Sequence, residues 1–226
     1  MQKIGIIGSN GFIGSVITDE LKNHSITNIT KENYELHKNT FFDVLINANG
    51  NSKKYWGNLN PIEDFNKSVE SVYKSIYDFK YSKYIFISSV DAELKNCSYG
   101  FNKFLAEQIV KFHCKNYSIV RLPAIIGGNA EKGIVYDIIN KNKIYLTKDS
   151  TFMLMDVNEI ALILKNLLEK NKLKKLEKFY PSENITIEQI GKFLNIPINY
   201  ANELRSEYFN YKGNYNTSIN YLKNIK

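Results

Sequence analysis

Only two cysteines, Cys97 and Cys114, occur in the 226 residues, and neither belongs to a C-x-x-C or metal-spaced cluster. That excludes a disulfide framework and points to a reducing, cytoplasmic setting. Histidine is nearly as scarce: His24, His37 and His113 share no metal-ligand spacing, so no metal site is expected. No apolar run approaches the ~18 residues of a membrane span. The first strand begins almost at Met1, which leaves no room for a signal peptide. A cytoplasmic protein without membrane insertion is the expectation. Internal repeats and low-complexity linkers are missing as well, so solenoid and tethered architectures are set aside.

Charge is not scarce, but it is not concentrated either. The formal net charge is +7, yet the lysines are scattered, and the densest group, 170–178, lies at a helix end. A solvated helix end explains that group better than a nucleic-acid surface, so no nucleic-acid partner is expected. The length fits one α/β domain or one such domain with a small appendage, since domains usually run ~100–200 residues.

What the chain does have is glycine at regular intervals near its start. In "IGIIGSNGFIG" a short apolar run from Ile4 meets Gly8, Gly11 and Gly14, and then the helical pattern Val16, Ile17, Leu21. Strand, glycine turn and helix in that order suit a pyrophosphate. Gly8 can take a positive φ, Gly11 leaves bare backbone for the phosphates, and Gly14 lets helix and strand pack closely. The N–H groups at the helix start would face the ligand. The spacing is G-x-x-G-x-x-G rather than G-x-G-x-x-G. Gly8, Gly11 and Gly14, with Asn10, Phe12 and Ile13 between them, form the candidate cofactor cradle. The bland alternative is that these glycines only shape a strand-to-helix turn.

Alternation continues down the chain. Strands are predicted at 26–29, 43–48, 84–87 and 117–122, the last halted by Pro123, and helices at 62–79, after Pro61, and 100–112. This order predicts a parallel, doubly wound sheet with ligands over the carboxyl ends of its strands. Beyond Gly127 the alternation weakens. Segments 134–139, 157–168 and 185–194 read as helices, with short strands at 144–146 and 179–180. The stretch 208–226 has only a faint periodicity in Ile219, Leu222 and Ile225, as a docked or a frayed tail would. The expected architecture is a Rossmann-type α/β domain, 1–127 with 147–168, and a small C-terminal α+β substrate-binding part, 128–146 and 169–226.

Tyr99 and Lys103, four apart at the start of a helix, fall on one helix face. An ammonium beside a phenol favours phenolate, lowering its pKa from ~10 toward the range where it can act as acid or base. Chance supplies Tyr-x-x-x-Lys often in so Tyr- and Lys-rich a chain. The strand at 84–87, however, ends in Ser88-Ser89, which puts a hydroxyl at a strand's carboxyl end one loop before the tyrosine. Such a hydroxyl can hold a substrate oxygen while the tyrosine moves its proton.

These motifs, "GSNGFIG", "DVLINANGNS", "IFISSVDAE", "SYGFNKFLAEQIV", "RLPAIIGG" and "DVNEIALIL" in this order, resemble the extended short-chain dehydrogenase/reductases, also called the NAD-dependent epimerase/dehydratase family. The resemblance covers roughly residues 1–168. It implies NAD or NADP in a Rossmann domain and a nucleotide-linked sugar above it, often in polysaccharide or lipopolysaccharide biosynthesis. Tyr99 would transfer the proton, and Lys103 would lower its pKa and hold the nicotinamide ribose. The Ser/Thr position falls best on Ser89, with Ser88 as the alternative. Ala48 and Gly50 would border the cofactor, and Leu122 and Pro123 would flank the nicotinamide. The helix asparagine of the family matches Asn66 or, equally, Ser68. A homodimer through the Pro61 and Gly100 helices is the family's habit.

Some features depart from the family. Ser89 and Tyr99 are only ten positions apart, so the covering loop is trimmed, and the chain is shorter than most members. Dehydration is disfavoured, because the family's dehydratases carry Asp-Glu directly after the Ser/Thr, where Val90-Asp91 stands here. Cofactor choice falls on Thr30-Lys31-Glu32, which offers an acidic partner for NAD and a basic one for NADP; Thr30 and Lys31 tip the reading toward NADP. Trp56 would stack on a ligand or cap the core edge, Arg121 would be structural at a strand end, and Asp156 would cap the helix that follows it. The expected activity is an NAD(P)-dependent nucleotide-sugar epimerase or keto-sugar reductase. The alternative is a non-catalytic NAD(P)-binding sensor or assembly protein of the same fold.

Overall fold

The computed structural model describes residues 1–128, 130–209, 211–215 and 222. The chain forms two compact units, Met1–Leu122 with Ala161–Lys178, and Pro123–Ile160 with Phe179–Lys226. These bounds differ from the sequence-based ones at 123–127, 147–160 and 169–178. The difference follows strand pairing: Ala124–Ile126 pairs with Leu154–Asp156 in the second unit, and Leu176–Lys178 pairs with 117–122 in the first.

In the first unit the strands are β1 (Lys3–Ile7), β2 (Ser25–Ile29), β3 (Phe41–Asn47), β4 (Lys80–Ser89) and β5 (Tyr117–Leu122). With the edge strand Leu176–Lys178 they make a six-stranded sheet in the order edge, β5, β4, β3, β1, β2. Every pairing is parallel. Their apolar runs read as buried because the sheet is covered: Ile4 and Ile6 of β1 and Tyr84, Ile85 and Phe86 of β4 are fully buried. The chain winds outward from β1 to β2, then crosses back to β3. The carboxyl ends of β1 and β3 therefore flank the switch point where such sheets take ligands. The register puts Ile7 beside Asn47, Asn47 beside Phe86 and Ser89 beside Leu122, so those ends lie along one edge.

The flanking helices are α1 (Phe12–Glu20), α2 (Lys54–Leu59), α3 (Pro61–Phe65), α4 (Ser71–Asp78), α5 (Asp91–Leu94) and α6 (Ser98–His113). Val72 and Ile76 of α4 and Ala106 and Val110 of α6 join Phe42, Leu45, Tyr84, Phe86 and Ile119 of the sheet in one core. The single helix expected over 62–79 is interrupted. A π-helical turn, Asn66–Glu70, separates α3 from α4. The wider turn changes which side chains face inward. Val69, Val72 and Ile76 are buried, whereas Ile62, Phe65 and Tyr73 are exposed.

The second unit is built from short pieces. Its helices Ile134–Ile139 and Ile187–Leu194 pack around Ile126, Leu154 and Leu222. Ile144–Leu146 pairs with Tyr200–Arg205, and Thr151–Phe152 with Ile185–Thr186. Thr186 and Gln189 form a capping box at the start of Ile187–Leu194. Asp156 caps Val157–Glu169 as expected, its Oδ1 accepting from the N–H groups of Asn158 at 2.8 Å and Glu159 at 3.3 Å. The strand expected at 179–180 is displaced: pairing ends at Lys178 opposite Arg121, and Phe179 and Tyr180 are buried outside any strand. Pro123, just past β5, has no N–H with which to extend that ladder. Of the C-terminal stretch, Phe209 is buried and donates to Thr151, and Leu222 is buried; Ile219 and Ile225 lie outside the described residues.

Candidate active site

One oxygen atom organises the turn after β1. Gly8 has φ +79°, and its carbonyl accepts the Gly11 N–H at 3.0 Å. A Cβ on Gly14 would stand 2.1 Å from that carbonyl oxygen, so any side chain there is excluded. A Cβ on Gly11 would meet the same oxygen at 3.2 Å and nothing else within 4 Å. The backbone at Gly11 therefore opens onto free space at the start of α1, and no side chain caps that helix. Asn10 is exposed, and Phe12 and Ile13 are half-buried around it. Bare backbone, an uncapped nine-residue helix and its dipole fit a pyrophosphate.

The loop after β3 lies beside this turn. Ala48 donates its N–H to Ile7 O at 3.0 Å, and Asn47 Oδ1 accepts the Asn49 N–H. Gly50 has φ +119°, and a Cβ there would lie 3.3 Å from Lys103 Nζ. The structure thus brings Gly50 and Lys103 together, although 53 positions separate them. After β2, Lys31 is exposed and Thr30 half-buried. Thr30 hydrogen-bonds to Glu32, which holds that carboxyl below its usual range. An acidic and a basic group both remain at this end of the site.

Ser88 and Ser89 part company at the end of β4. Ser88 is buried and donates to Glu107 Oε1 at 2.7 Å. Ser89 Oγ donates to Asp91 Oδ2 at 3.1 Å and accepts the Asp91 N–H at 3.2 Å. Asp91 Oδ1 pairs with Lys54 Nζ of α2 at 2.9 Å.

Tyr99 and Lys103 lie on the buried stripe of α6, with Ala106 and Val110 further along it. Gly100 lets α5 approach, since a Cβ there would stand 2.5 Å from Asp91 O. The Lys103 ammonium lies 5.9 Å from the centre of the Tyr99 ring and 5.8 Å from that of Phe86. The expected lowering of the phenol pKa does not occur. Burial pushes Tyr99 well above the usual tyrosine value, and the Asp91 carboxylate adds to this; Ser89 opposes it, while Asp64 and Cys97 raise it further. Stacking on one helix face does not bring enough positive field to outweigh desolvation.

Sequence reasoning missed the polar groups behind these residues. Asp64 is fully buried and accepts from Asn51 Nδ2 at 2.8 Å, Asn102 Nδ2 at 2.7 Å and Ser68 Oγ at 3.2 Å. It ties the loop after β3 to the π-helical turn and to α6. Ser68 faces inward and Asn66 is exposed, so Ser68 is the inward group at that turn. Trp56 is half-buried under Lys67 Nζ, 4.2 Å from its ring centre. Arg121 is buried in a network with Glu107 and Glu93. Leu122 ends β5 with its carbonyl accepting the Val90 N–H at 2.9 Å, and Pro123 begins the second unit. Asp91, one residue later than a pair directly after Ser89 would begin, places a carboxylate on Ser89. The signal was the short Ser89-Val90-Asp91 turn, whose two-residue spacing lets a carboxylate fold back.

Among the described residues no cluster of three or more His, Cys, Asp or Glu is placed to hold a metal ion. Nor is any described helix long and apolar enough to cross a membrane.

No family model matches the sequence, and no curated protein does. Solved structures do match in fold. A UDP-N-acetylglucosamine 4-epimerase from Methanobrevibacter ruminantium M1, in complex with UDP-N-acetylmuramic acid, superposes with a TM-score of 0.78 at 16% identity, covering 98% of this chain and 96% of that one. TunA, an NAD-dependent NDP-hexosamine 5,6-dehydratase of tunicamycin biosynthesis, gives 0.78 at 11% identity over 95% and 88%. A dTDP-4-dehydrorhamnose reductase from Bacillus anthracis str. Ames, in complex with NADP, gives 0.76 at 15% over 98% and 96%. The chain shares the Rossmann-type fold of these solved structures.

Proposed function

We propose that this chain is an NAD(P)-dependent enzyme acting on a nucleotide-linked sugar, by epimerisation or by reduction of a keto group. The observation that carries the reading is the pairing of two features on one sheet edge. Backbone opens at Gly11 above an uncapped helix, Ser89 stands at the end of β4, and Tyr99 and Lys103 share the buried face at the start of α6. The fold neighbours named above, two of them with NAD or NADP in their names and all three named for nucleotide-activated sugars, support it.

In this reading the Gly8–Gly14 amides hold the pyrophosphate, Ala48 and Gly50 border the dinucleotide, and Lys103 holds the nicotinamide ribose. Thr30, Lys31 and Glu32 meet the adenosine end, and Leu122 lies beside the nicotinamide. The nicotinamide, when bound, supplies hydride transfer. Ser89 orients the sugar oxygen, and Tyr99 exchanges a proton with it. Mass spectrometry of the purified protein tests the reading by identifying the dinucleotide or nucleotide sugar that travels with it. Calorimetry with NAD, NADP and nucleotide sugars measures the preference; no binding of any of them overturns the proposal. A steady nicotinamide absorbance during turnover marks an epimerase, and its stoichiometric loss marks a reductase.

A second reading, a non-catalytic NAD(P)-binding sensor, is favoured by the short connection between Ser89 and Tyr99, only ten positions apart. It predicts dinucleotide binding without turnover of any nucleotide sugar.

A further inference from the structure

Asp64 of α3 is fully buried, and its three hydrogen-bond partners come from three separate segments. Its Oδ1 accepts from Asn51 Nδ2, after β3, and from Ser68 Oγ, in the π-helical turn, while Oδ2 accepts from Asn102 Nδ2 on α6. A carboxylate only accepts, so it turns the NH2 end of both amides toward itself. Asn51 is fixed further: its Oδ1 accepts the Lys53 N–H at 2.8 Å, its Nδ2 also donates to Lys53 O at 3.1 Å, and its main-chain N–H donates to Ser68 Oγ at 3.3 Å. Helix α2 closes over the group, since a Cβ on Gly57 would stand 2.8 Å from Asn51 Nδ2 and 3.0 Å from Asp64 Cγ.

The partners matter for what stands next to them in the chain. Asn51 follows Gly50, Ser68 follows Lys67, and Asn102 precedes Lys103. Those neighbours converge: a Cβ on Gly50 would lie 3.3 Å from Lys103 Nζ, 3.5 Å from Lys67 O and 3.7 Å from Ser68 Cα. One carboxylate thus anchors each of the segments that meet at Gly50.

We propose that Asp64 is a positioning residue for the nicotinamide-ribose end of the site, holding the Lys103 ammonium against the Gly50 main chain. A buried charge adds little stability over an apolar contact of the same shape, so its use here is directional: the hydrogen bonds fix where three segments lie. This rests on the dinucleotide reading, in which Lys103 and Gly50 meet that ribose and the Gly8–Gly14 turn meets the pyrophosphate. Asp64 acts through Asn51, Ser68 and Asn102 and touches no ligand atom. Its influence is therefore confined to one half of the dinucleotide. ADP carries only the adenosine and the diphosphate, whereas NAD and NADP extend to Lys103.

Asp64→Ala removes all three bonds, and Asn102→Ala removes only the one to α6. Each should weaken the dinucleotide that wild type prefers by about 10-fold, the scale of one hydrogen bond to a charged group, and leave ADP affinity unchanged. Asp64→Asn is the conservative control. The Asn102 amide can turn over and accept from the new NH2 group, so dinucleotide affinity should stay nearer to wild type.

Calorimetry reads the two affinities, and thermal melts identify the folded variants. Where Asp64→Ala leaves three unanswered donors and does not fold, Asn102→Ala carries the test. Acetic anhydride labelling of the ligand-free protein, read by mass spectrometry, follows Lys103 directly. That lysine is 5% exposed and should label faster in both alanine variants, while Lys165, paired with Glu20, keeps its rate as an internal reference. Equal loss of ADP and dinucleotide affinity in a folded variant makes Asp64 a support of the fold alone and overturns the proposal. Unchanged labelling of Lys103 overturns it as well. Wild type that binds neither ADP nor a dinucleotide counts instead against the dinucleotide reading, and the labelling of Lys103 then decides by itself whether Asp64 positions that ammonium.

Discussion

Arg121 on β5 holds Glu107 on α6 by two hydrogen bonds, Nε to Oε1 at 2.8 Å and Nη2 to Oε2 at 2.7 Å, with Glu107 fully buried. Ser88 donates to the same carboxylate, and Arg121 also pairs with Glu93, which pairs with Lys178 of the edge strand. Breaking a buried pair leaves an uncompensated charge, so Glu107→Ala is expected to cost about 3–5 kcal/mol. Replacing both partners, with Arg121→Met and Glu107→Leu, should cost much less than the single change. Urea unfolding of the three proteins checks this, and a single-variant loss below about 1 kcal/mol would show the pair to be dispensable.

The glycine turn separates two kinds of substitution. Gly14→Ala drives a Cβ into the Gly8 carbonyl at 2.1 Å and should destabilise the first unit, as a fall in melting temperature. At Gly11 the added Cβ meets only that carbonyl, at 3.2 Å. Gly11→Val should therefore fold near-normally and lose dinucleotide binding, because its branches occupy the space the phosphates need. Calorimetric titration with unchanged affinity in folded Gly11→Val would remove the pyrophosphate from this turn.

Tyr99→Phe keeps the packed ring and removes the hydroxyl. Dinucleotide affinity should survive, since the glycine turn and Lys103 are untouched, while turnover falls about 10²–10⁴-fold. Near-normal turnover on a verified nucleotide sugar would take Tyr99 out of proton transfer. Because burial, and not Lys103, dominates the phenol, Lys103→Met is expected to weaken cofactor binding far more than it shifts the Tyr99 titration.

Exposed aromatics join α4 and α6. Tyr77 OH hydrogen-bonds to His113 Nδ1 at 2.7 Å, Tyr73 packs edge-on against the same ring, and Phe112 lies 4.8 Å from it between centroids. Ile62 and Phe65 are exposed on α3 and Phe101 on α6. A homodimer through these helices is expected. Light scattering should report a dimer for wild type and a monomer for Tyr77→Glu with Phe112→Glu; a wild-type monomer at high concentration would end the proposal.

Parts of this architecture were legible in the sequence because they rest on continuous apolar runs. Strand 117–122, helix 134–139 and strand 144–146 fall where pattern alone puts them. The two- and three-residue strands of the second unit are too short to carry any period. The π-helical turn escaped because an apolar stripe counted at 3.6 residues assumes an unbroken helix. Within the candidate site, Gly8, Gly11 and Gly14 and the Tyr99–Lys103 pair stand out by spacing, and the family resemblance favours Ser89 over Ser88. Asp64, Asp91, Glu107 and Arg121 do not, since a buried charge is defined by partners far away in the chain. For the same reason the sign of the Tyr99 shift was misjudged: the i+4 lysine is visible in sequence, and the depth of burial is not.

The Gly8 carbonyl oxygen accepts from Gly11 and occupies the ground that a side chain at Gly14 would need. Three positions thus answer to one atom of the main chain, which no rotamer change can move aside. Relief at Gly14 would require the whole strand-to-helix corner to bend. The segment from Gly8 to Gly14 is accordingly expected to vary as a block among descendants of this chain, with single replacements lost and compensating pairs rare, even where the flanking sequence drifts freely.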